Sequence, residues 1–392
     1  MTAAEQSLSH HVQGPTQMEG PSHKLIISPG SRKLLVFFSG TSKSNGRFDF
    51  WSSATAQSEN VLLINNGRNE WYQRGVPEFS SSIEDTAKKI HTWAKVLNCN
   101  EIVTLGVSMG GYAAILFGSA LNARVFALGF DSVLKYPLSR SGDRISKGTP
   151  VIHEKLRPLI EKSKCKITAI TGDMDPSDLM SLSRISDLHN VKSITLRGVN
   201  HSVGRHINKF YGLADVIKAF VDNDALPEFS EIGTLAYNKV RTKKIFQANQ
   251  QYLIEDYEGA LSFAMEVLEE DPMSEPANFV AGMAEIGLKR YTAASRHLAV
   301  TCALVPHFNT AQFHLAKALR LSGRLEQAAQ HFTRYISVMP NSVGARRNLS
   351  SIYKALGNQK ASAEWTARAD EVDAKNKEAE ALKRSMSAAK KS

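Results

Sequence analysis

The chain has 392 residues, more than one typical domain, so we expect two domains. Its 42% hydrophobic and 22% charged residues are typical of a soluble globular protein, and its apolar runs are too short to span a membrane. The net charge of +10 is spread along the chain without interleaved aromatics or a nucleic-acid-binding module. We therefore expect a solvated basic surface and no nucleic-acid partner.

The N-terminus and the cysteines indicate a cytoplasmic protein. Residues 1–23 have neither a basic start nor an apolar core, so they do not form a signal peptide, and we predict a disordered leader there. Cys99, Cys165 and Cys302 lie far apart, without disulfide or metal-ligand spacing. This usage is typical of a reducing compartment and argues against a zinc site.

Residues 24–225 alternate short β-rich runs with helical stretches. In chain order we predict the strands KLIIS, KLLVFFS, NVLLIN, EIVTLGVS, RVFALGF, KITAIT and SITLRG. Nearly unbroken apolar strands between helices indicate an α/β fold with a mostly parallel sheet that is covered on both faces. Only PGSR separates the first two strands, which predicts an antiparallel hairpin there.

The segment GVSMGG (106–111) follows the strand EIVTL and opens the helical stretch GGYAAILFGSA. On a strand-to-helix turn the hydroxyl of Ser108 would project above the strand end, and Gly106 and Gly110 would leave space where side chains would collide. In this context the G-x-S-x-G pattern predicts a nucleophile. The region 24–225 therefore resembles the α/β-hydrolase superfamily of serine hydrolases.

That resemblance implies a catalytic acid after KITAIT and a histidine after SITLRG. His201 fills the second position and would act as general base. Asp173, Asp175 and Asp178 share the first loop; the family's spacing from glycine to acid favours Asp175, with Asp173 as the alternative. Asp131 is a further candidate, because some members place the acid after the earlier strand. Any of these aspartates could instead shape the turn or cap the following helix.

The family also holds the oxyanion of the reaction with two backbone amides. Here the resemblance implies the amide of Met109 and one amide from the loop FFSGTSKSNG, where Gly40 and Thr41 are candidates. We expect the Thr41 amide to donate, while Gly40 allows the backbone to approach the substrate. The implied reaction is cleavage of a carboxylic ester through an acyl-enzyme, with no metal and no organic cofactor; an acyltransferase would use the same triad.

The loop after NVLLIN, residues 64–76, is the expected mouth of the site. Trp71 and Tyr72 would stack on a sugar or acyl chain and Asn66 would bind polar groups, although such aromatics also pack against sheets. The segment FDFW (48–51) is a weaker candidate of the same kind. FFSGT together with NNGRNEWY resembles bacterial α/β-hydrolase-like proteins associated with surface polysaccharides, which implies an O-acyl group on a saccharide as substrate.

The C-terminal part has a helical repeat. Three prolines recur every 34 residues: Pro272, Pro306 and Pro340. Three alanines each stand 12 residues before a proline: Ala260, Ala294 and Ala328. Small side chains where two helices cross, and a proline ending the second helix, account for this pattern. It resembles the tetratricopeptide repeat (TPR) and predicts about four helical hairpins over 234–376, followed by a charged capping helix or tail over 377–392.

Stacked TPR units present a concave groove for peptides or proteins. We therefore expect a protein partner, or self-association, through this groove. The alternative to a hydrolase is an interaction or scaffold protein in which the hydrolase domain is vestigial. Reaction of Ser108 with a fluorophosphonate distinguishes the two.

Overall fold

The computed structural model describes residues 17–388, which divide into two compact units after Phe246. Most of the predicted leader, 1–23, lies outside the described residues. Its last part differs from the prediction, because Gln17–Glu19 forms a strand that pairs with the next one. No helix among residues 17–388 is both long enough and apolar enough to cross a membrane.

The first unit is built on a nine-stranded sheet. Its strands are β1 Gln17–Glu19, β2 His23–Ile26, β3 Lys33–Phe38, β4 Asn60–Ile64, β5 Glu101–Val107, β6 Arg124–Leu128, β7 Lys166–Gly172, β8 Val191–Leu196 and β9 Ile232–Gly233. They lie in the order β1-β2-β4-β3-β5-β6-β7-β8-β9. The six strands β3 to β8 are mutually parallel and β1, β2 and β9 pair antiparallel. The predicted α/β fold with a mostly parallel sheet is thus confirmed.

The predicted hairpin between β2 and β3 is wrong. β4 lies between these strands, and Leu62 at its centre pairs antiparallel with Leu25 and parallel with Val36. All five residues of β4 are buried, so a central position suits it, with ladder hydrogen bonds on both edges.

Helices cover both faces of the sheet. They are α1 Trp51–Thr55, α2 Ile83–Val96, α3 Met109–Leu121, α4 Arg140–Arg144, α5 Arg157–Glu161, α6 Pro176–Ser183, α7 Val203–Tyr211 and α8 Leu213–Asn223. Alternate residues of β3 enter different cores: Val36 packs with α2 and α3, whereas Phe37 packs with α7 and α8. Because β3 to β8 are parallel, their carboxyl ends lie along the same edge of the sheet, and the loops that follow them converge there.

The sheet unit continues past residue 225, where we expected it to end. β9 pairs with β8, and the hydroxyl of Tyr237 donates a hydrogen bond of 2.8 Å to the carbonyl of Ser193 in β8. The sheet therefore extends into the interval 226–233, which the predicted bounds of the two domains left unassigned.

The C-terminal part is entirely helical. Its helices are α9 Lys239–Leu253, α10 Tyr257–Glu270, α11 Glu275–Gly287, α12 Tyr291–Leu304, α13 Asn309–Leu321, α14 Leu325–Val338, α15 Val343–Ala355 and α16 Gln359–Ala388. From α10 onward each helix packs against the next. The side chains of Ala260, Ala294 and Ala328 are fully buried, which confirms the helical repeat. Residues 377–388 of the predicted capping helix or tail are the end of α16, which runs without a break for 30 residues; 389–392 lie outside the described residues.

Candidate active site

Ser108 lies on a strained turn between β5 and α3. Its φ of 59° and ψ of −122° place it in a backbone region that side chains rarely adopt. A Cβ on Gly106 would lie 1.9 Å from the carbonyl oxygen of Gly110, and a Cβ on Gly110 would lie 2.0 Å from that of Phe38. Both positions therefore require glycine, and the close backbone contacts hold the turn in place.

Three side chains, each from a segment that follows a different strand, meet at this turn. The hydroxyl of Ser108 donates to Nε2 of His201 at 3.0 Å. Nδ1 of His201 donates in turn to Oδ2 of Asp178 at 2.7 Å, in the tautomer that leaves Nε2 free to accept. His201 follows β8, and Asp178 lies in the first turn of α6 after β7. The distances are those at which a base takes a proton from a nucleophile.

The acid in this arrangement is Asp178, so the structure corrects the prediction of Asp175. Asp175 caps α6 and accepts a hydrogen bond of 3.0 Å from the amide of Asp178. The alternative, Asp173, accepts one of 2.8 Å from the amide of Gly198. Because Pro176 starts α6 directly after Asp175, the residue that faces His201 is one turn further into the helix.

Arg140, which the sequence did not indicate, joins the two aspartates of α6. Its Nη1 donates to Oδ1 of Asp178 at 2.7 Å, and its Nη2 forms an ion pair with Asp175. An arginine in a polar loop looks like a surface residue in the sequence. Only the fold reveals its contact with the acid.

The charges of the cluster favour an ionised acid and a basic imidazole. Burial opposes ionisation of Asp178, but Arg140 and His201 hold the pKa of this carboxyl below its ordinary value. Burial likewise opposes protonation of His201, but the carboxylate of Asp178 raises the pKa of the imidazole overall. For Asp175, burial and the neighbouring Asp178 raise the pKa. The imidazole of His201 is thus a stronger base than an isolated one.

Of the residues predicted to form the oxyanion hole, Met109 and Gly40 lie beside Ser108. Met109 is the first residue of α3, so its amide has no acceptor within the helix. A Cβ on Gly40 would lie 3.7 Å from Cβ of Ser108, which places the loop after β3 against the nucleophile. The amide of Gly40 already donates to Asp49 at 2.8 Å, so Gly40 provides close approach rather than a donor. The amide of the next residue, Thr41, remains our predicted second donor.

A cavity of about 440 Å³ adjoins His201. Trp51 of α1 lines it with its side chain 42% exposed, and Arg205 and Asn208 of α7 contribute polar groups. The segment FDFW, the weaker candidate from the sequence, thus supplies the aromatic side chain next to the triad.

The substrate-binding residues predicted from the sequence are wrong. Trp71 and Tyr72 are fully buried, and the Tyr72 hydroxyl donates to the carbonyl of Ser39 at 2.9 Å. Asn66 is also buried, and its side chain accepts a hydrogen bond from the amide of Arg68 within its own turn. Left-handed backbone at Trp71 and Tyr72 turns the loop so that both rings enter the core.

Within residues 17–388, one group of His and Asp side chains, Asp175, Asp178 and His201, brings possible ligand atoms within 4.8 Å of one another. Arg140 already donates to both carboxylates, and a cation there would oppose its charge. The cluster therefore fits a hydrogen-bonded triad supported by arginine better than a metal centre, and the absence of a metal remains a prediction.

No protein-family model matches the chain, and no curated protein matches it. Among solved structures, one titled "MamA MSR-1 C2" is 15% identical over 44% of this chain and 92% of its own, with a TM-score of 0.34. Another, titled "Crystal structure of MamA", is 18% identical over 45% of this chain and 95% of its own, also with a TM-score of 0.34. These similarities fall on the C-terminal helical part. With its 34-residue period and paired helices, that part is a TPR-like repeat region.

Proposed function

We propose that the first unit is a serine hydrolase that cleaves a carboxylic ester through an acyl-enzyme. The observation that carries this proposal is the continuous hydrogen-bonded chain from Ser108 through His201 to Asp178. Acyl transfer requires a nucleophile, a base that contacts it and an acid that orients the base, and these three residues contact one another in that order.

In the first step, Oγ of Ser108 attacks the ester carbonyl carbon while Nε2 of His201 takes the hydroxyl proton. The carbonyl oxygen becomes an oxyanion, which the amides of Met109 and Thr41 would stabilise by about 3 kcal/mol each. His201 then protonates the leaving alcohol as the carbon–oxygen bond breaks. In the second step, water that His201 deprotonates attacks the acyl-enzyme, releasing the acid and restoring Ser108. An alcohol in place of water would give an acyltransferase.

The substrate we propose is an O-acyl group on a saccharide. The cavity beside His201 supports this class, because an exposed indole can lie against the C–H face of a sugar. Arg205 and Asn208 line the same cavity and offer hydrogen-bonding groups for hydroxyls.

A fluorophosphonate probe tests the proposal. Wild-type protein should be labelled, folded Ser108→Ala should not, and His201→Ala should label far more slowly. Short acyl esters and O-acetylated saccharides would then identify the substrate. If folded wild-type protein is not labelled, the alternative holds and the hydrolase unit is vestigial.

We also propose that the repeat region binds a protein partner or a second copy of this chain. A cavity of about 610 Å³ lies between α14 and α15, lined by residues that include Tyr353 and Leu356. Leu356 is 40% exposed, so an apolar side chain is open to a partner. Sedimentation equilibrium of wild type, Leu356→Glu and the control Met273→Glu tests self-association; only Leu356→Glu should weaken a dimer.

A further inference from the structure

We propose that Arg140 is a positioning residue, which fixes the carboxylate of Asp178 against His201 and offsets the negative charge of the aspartates around it. This inference rests on the proposed hydrolase function and adds a residue to its machinery.

The hydrogen bonds that Asp178 accepts hold its carboxylate in a single orientation. Its Oδ2 accepts from His201 and its Oδ1 accepts from Nη1 of Arg140, so each oxygen has its own charged or polar partner. The side chain of Asp178 is fully buried, so water does not compete for either oxygen. Rotating the carboxylate would break both bonds at once.

Arg140 also reaches Asp175, which caps α6. A guanidinium presents several donors in one plane, so it can bind both aspartates of α6 and hold the first turn of that helix together. Lysine has a single ammonium group and cannot reproduce this planar pair of donors.

The surrounding charges show why a cation is needed. The carboxylates of Asp131, Asp175 and Asp178, from the loop after β6 and from α6, surround Arg140, and His201 faces them from the loop after β8. Burial raises the pKa of Asp131 to about 6. Arg184 provides a second positive charge on the Asp131 side. Without Arg140, the buried carboxylates would repel one another beside the imidazole.

The short helix α4 is itself fixed at the site. The hydroxyl of Ser139 caps it by accepting from the amide of Gly142 at 3.1 Å, and Asp131 accepts from the amide of Ser141 at 3.1 Å. At its other end, Nη1 of Arg144 donates to the hydroxyl of Thr41 at 2.8 Å. Thus α4 contacts both the acid and the loop of the predicted oxyanion donor.

The test compares Arg140→Met and Arg140→Lys with wild type in fluorophosphonate labelling of the full chain from pH 5 to pH 9. Arg140→Met should slow labelling about a hundredfold and move the acid limb of the pH profile up by about one unit, because the cation that opposes protonation of His201 is gone. Arg140→Lys should recover part of the rate, with its acid limb near that of wild type. In NMR titration, the pKa of the His201 imidazole should be higher in Arg140→Met than in wild type, and close to wild type in Arg140→Lys.

Arg157→Met is the matched control. Arg157 lies in the same connection between β6 and β7 and also binds two carboxylates, those of Glu161 and Asp187, but on the surface. It should leave both rate and pH profile unchanged. If Arg140→Met keeps the wild-type acid limb and a rate within twofold, or if Arg157→Met shifts the limb equally, the inference is wrong.

Arg140→Met leaves buried carboxylates without their cation and should lower stability, so the double variant Arg140→Met with Asp175→Asn provides the second measurement. The double variant removes the negative charge of Asp175 together with the positive charge of Arg140, which favours folding. It still leaves Asp178 without its arginine. We expect a folded protein with slow labelling and a raised acid limb. A double variant with the labelling rate and the acid limb of wild type would overturn the inference. Failure of wild-type Ser108 to label at all would instead overturn the proposed function.

Discussion

Oδ2 of Asp178 lies 2.7 Å from Nδ1 of His201, one helical turn beyond the aspartate that caps α6. The two acidic residues of this turn therefore have different roles. Asp175 stabilises the start of the helix through a backbone amide, and Asp178 meets the imidazole. Exchanging these roles would require α6 to begin elsewhere.

We predict that Asp178→Asn slows labelling of Ser108 about a hundredfold or more, because an amide at this position favours the wrong imidazole tautomer. Asp175→Asn is the matched variant, since asparagine caps helices as well as aspartate does. It should keep the rate within about tenfold of wild type. Rates from probe labelling at pH 8 decide between them, and an equal loss in both variants would contradict the assignment.

The pH dependence of labelling should follow His201. This residue must be neutral to act as a base, and its pKa is raised above the ordinary value of 6.5. Activity should therefore fall as the pH decreases, with a midpoint above 6.5 rather than below it. A profile that stays flat down to pH 5 would show that another group accepts the proton.

We predict that Gly110→Ala destabilises the first unit by about 3 kcal/mol and abolishes labelling, because the new methyl group would overlap the backbone of β3. The carbonyl oxygen of Phe38 lies 2.0 Å from the Cβ position. Gly148→Ala is the control, with no atom within 4 Å of its Cβ position. Thermal unfolding and labelling should be near wild type in the control and impaired in Gly110→Ala.

The two neighbouring aromatic segments should differ in their responses to truncation. Trp71→Ala removes a fully buried side chain and should lower the free energy of unfolding by about 3–5 kcal/mol. Trp51→Ala removes an exposed one that lines the cavity, so it should raise KM for the ester substrate while stability changes little. Chemical denaturation and steady-state kinetics measure these effects; a stability loss in Trp51→Ala as large as that in Trp71→Ala would contradict this division.

Local patterns predicted most of the sheet and the strand-to-helix turn that carries Ser108. Apolar runs gave the strands β2 to β8 because a buried strand must be apolar whatever its neighbours are. Ser108 was found because the pattern of glycines around it reflects contacts that a side chain cannot make. The short strands β1 and β9 have no such pattern and were missed.

The predicted acid, Asp175, lies one turn before Asp178, which contacts His201, because the prediction used a family spacing in place of local chemistry. In DPSD, proline at the first helical position and aspartate before it form a capping signature, which the sequence already contained. Arg140 had no such signal, and the cavity beside Trp51 was indicated only by the weaker candidate FDFW. Both depend on which loops the sheet brings together, and so do the burial of Trp71 and the position of β4.

The contact between Gly110 and the main chain at Phe38 has one further consequence. It fixes the position of the turn that carries Ser108 against the loop after β3 through main-chain atoms alone. Exchange of cavity residues such as Trp51 and Arg205 should therefore leave Ser108 and this loop in place. Under the proposed function, the backbone would hold the reacting groups together while the side chains of the cavity determine which ester is bound.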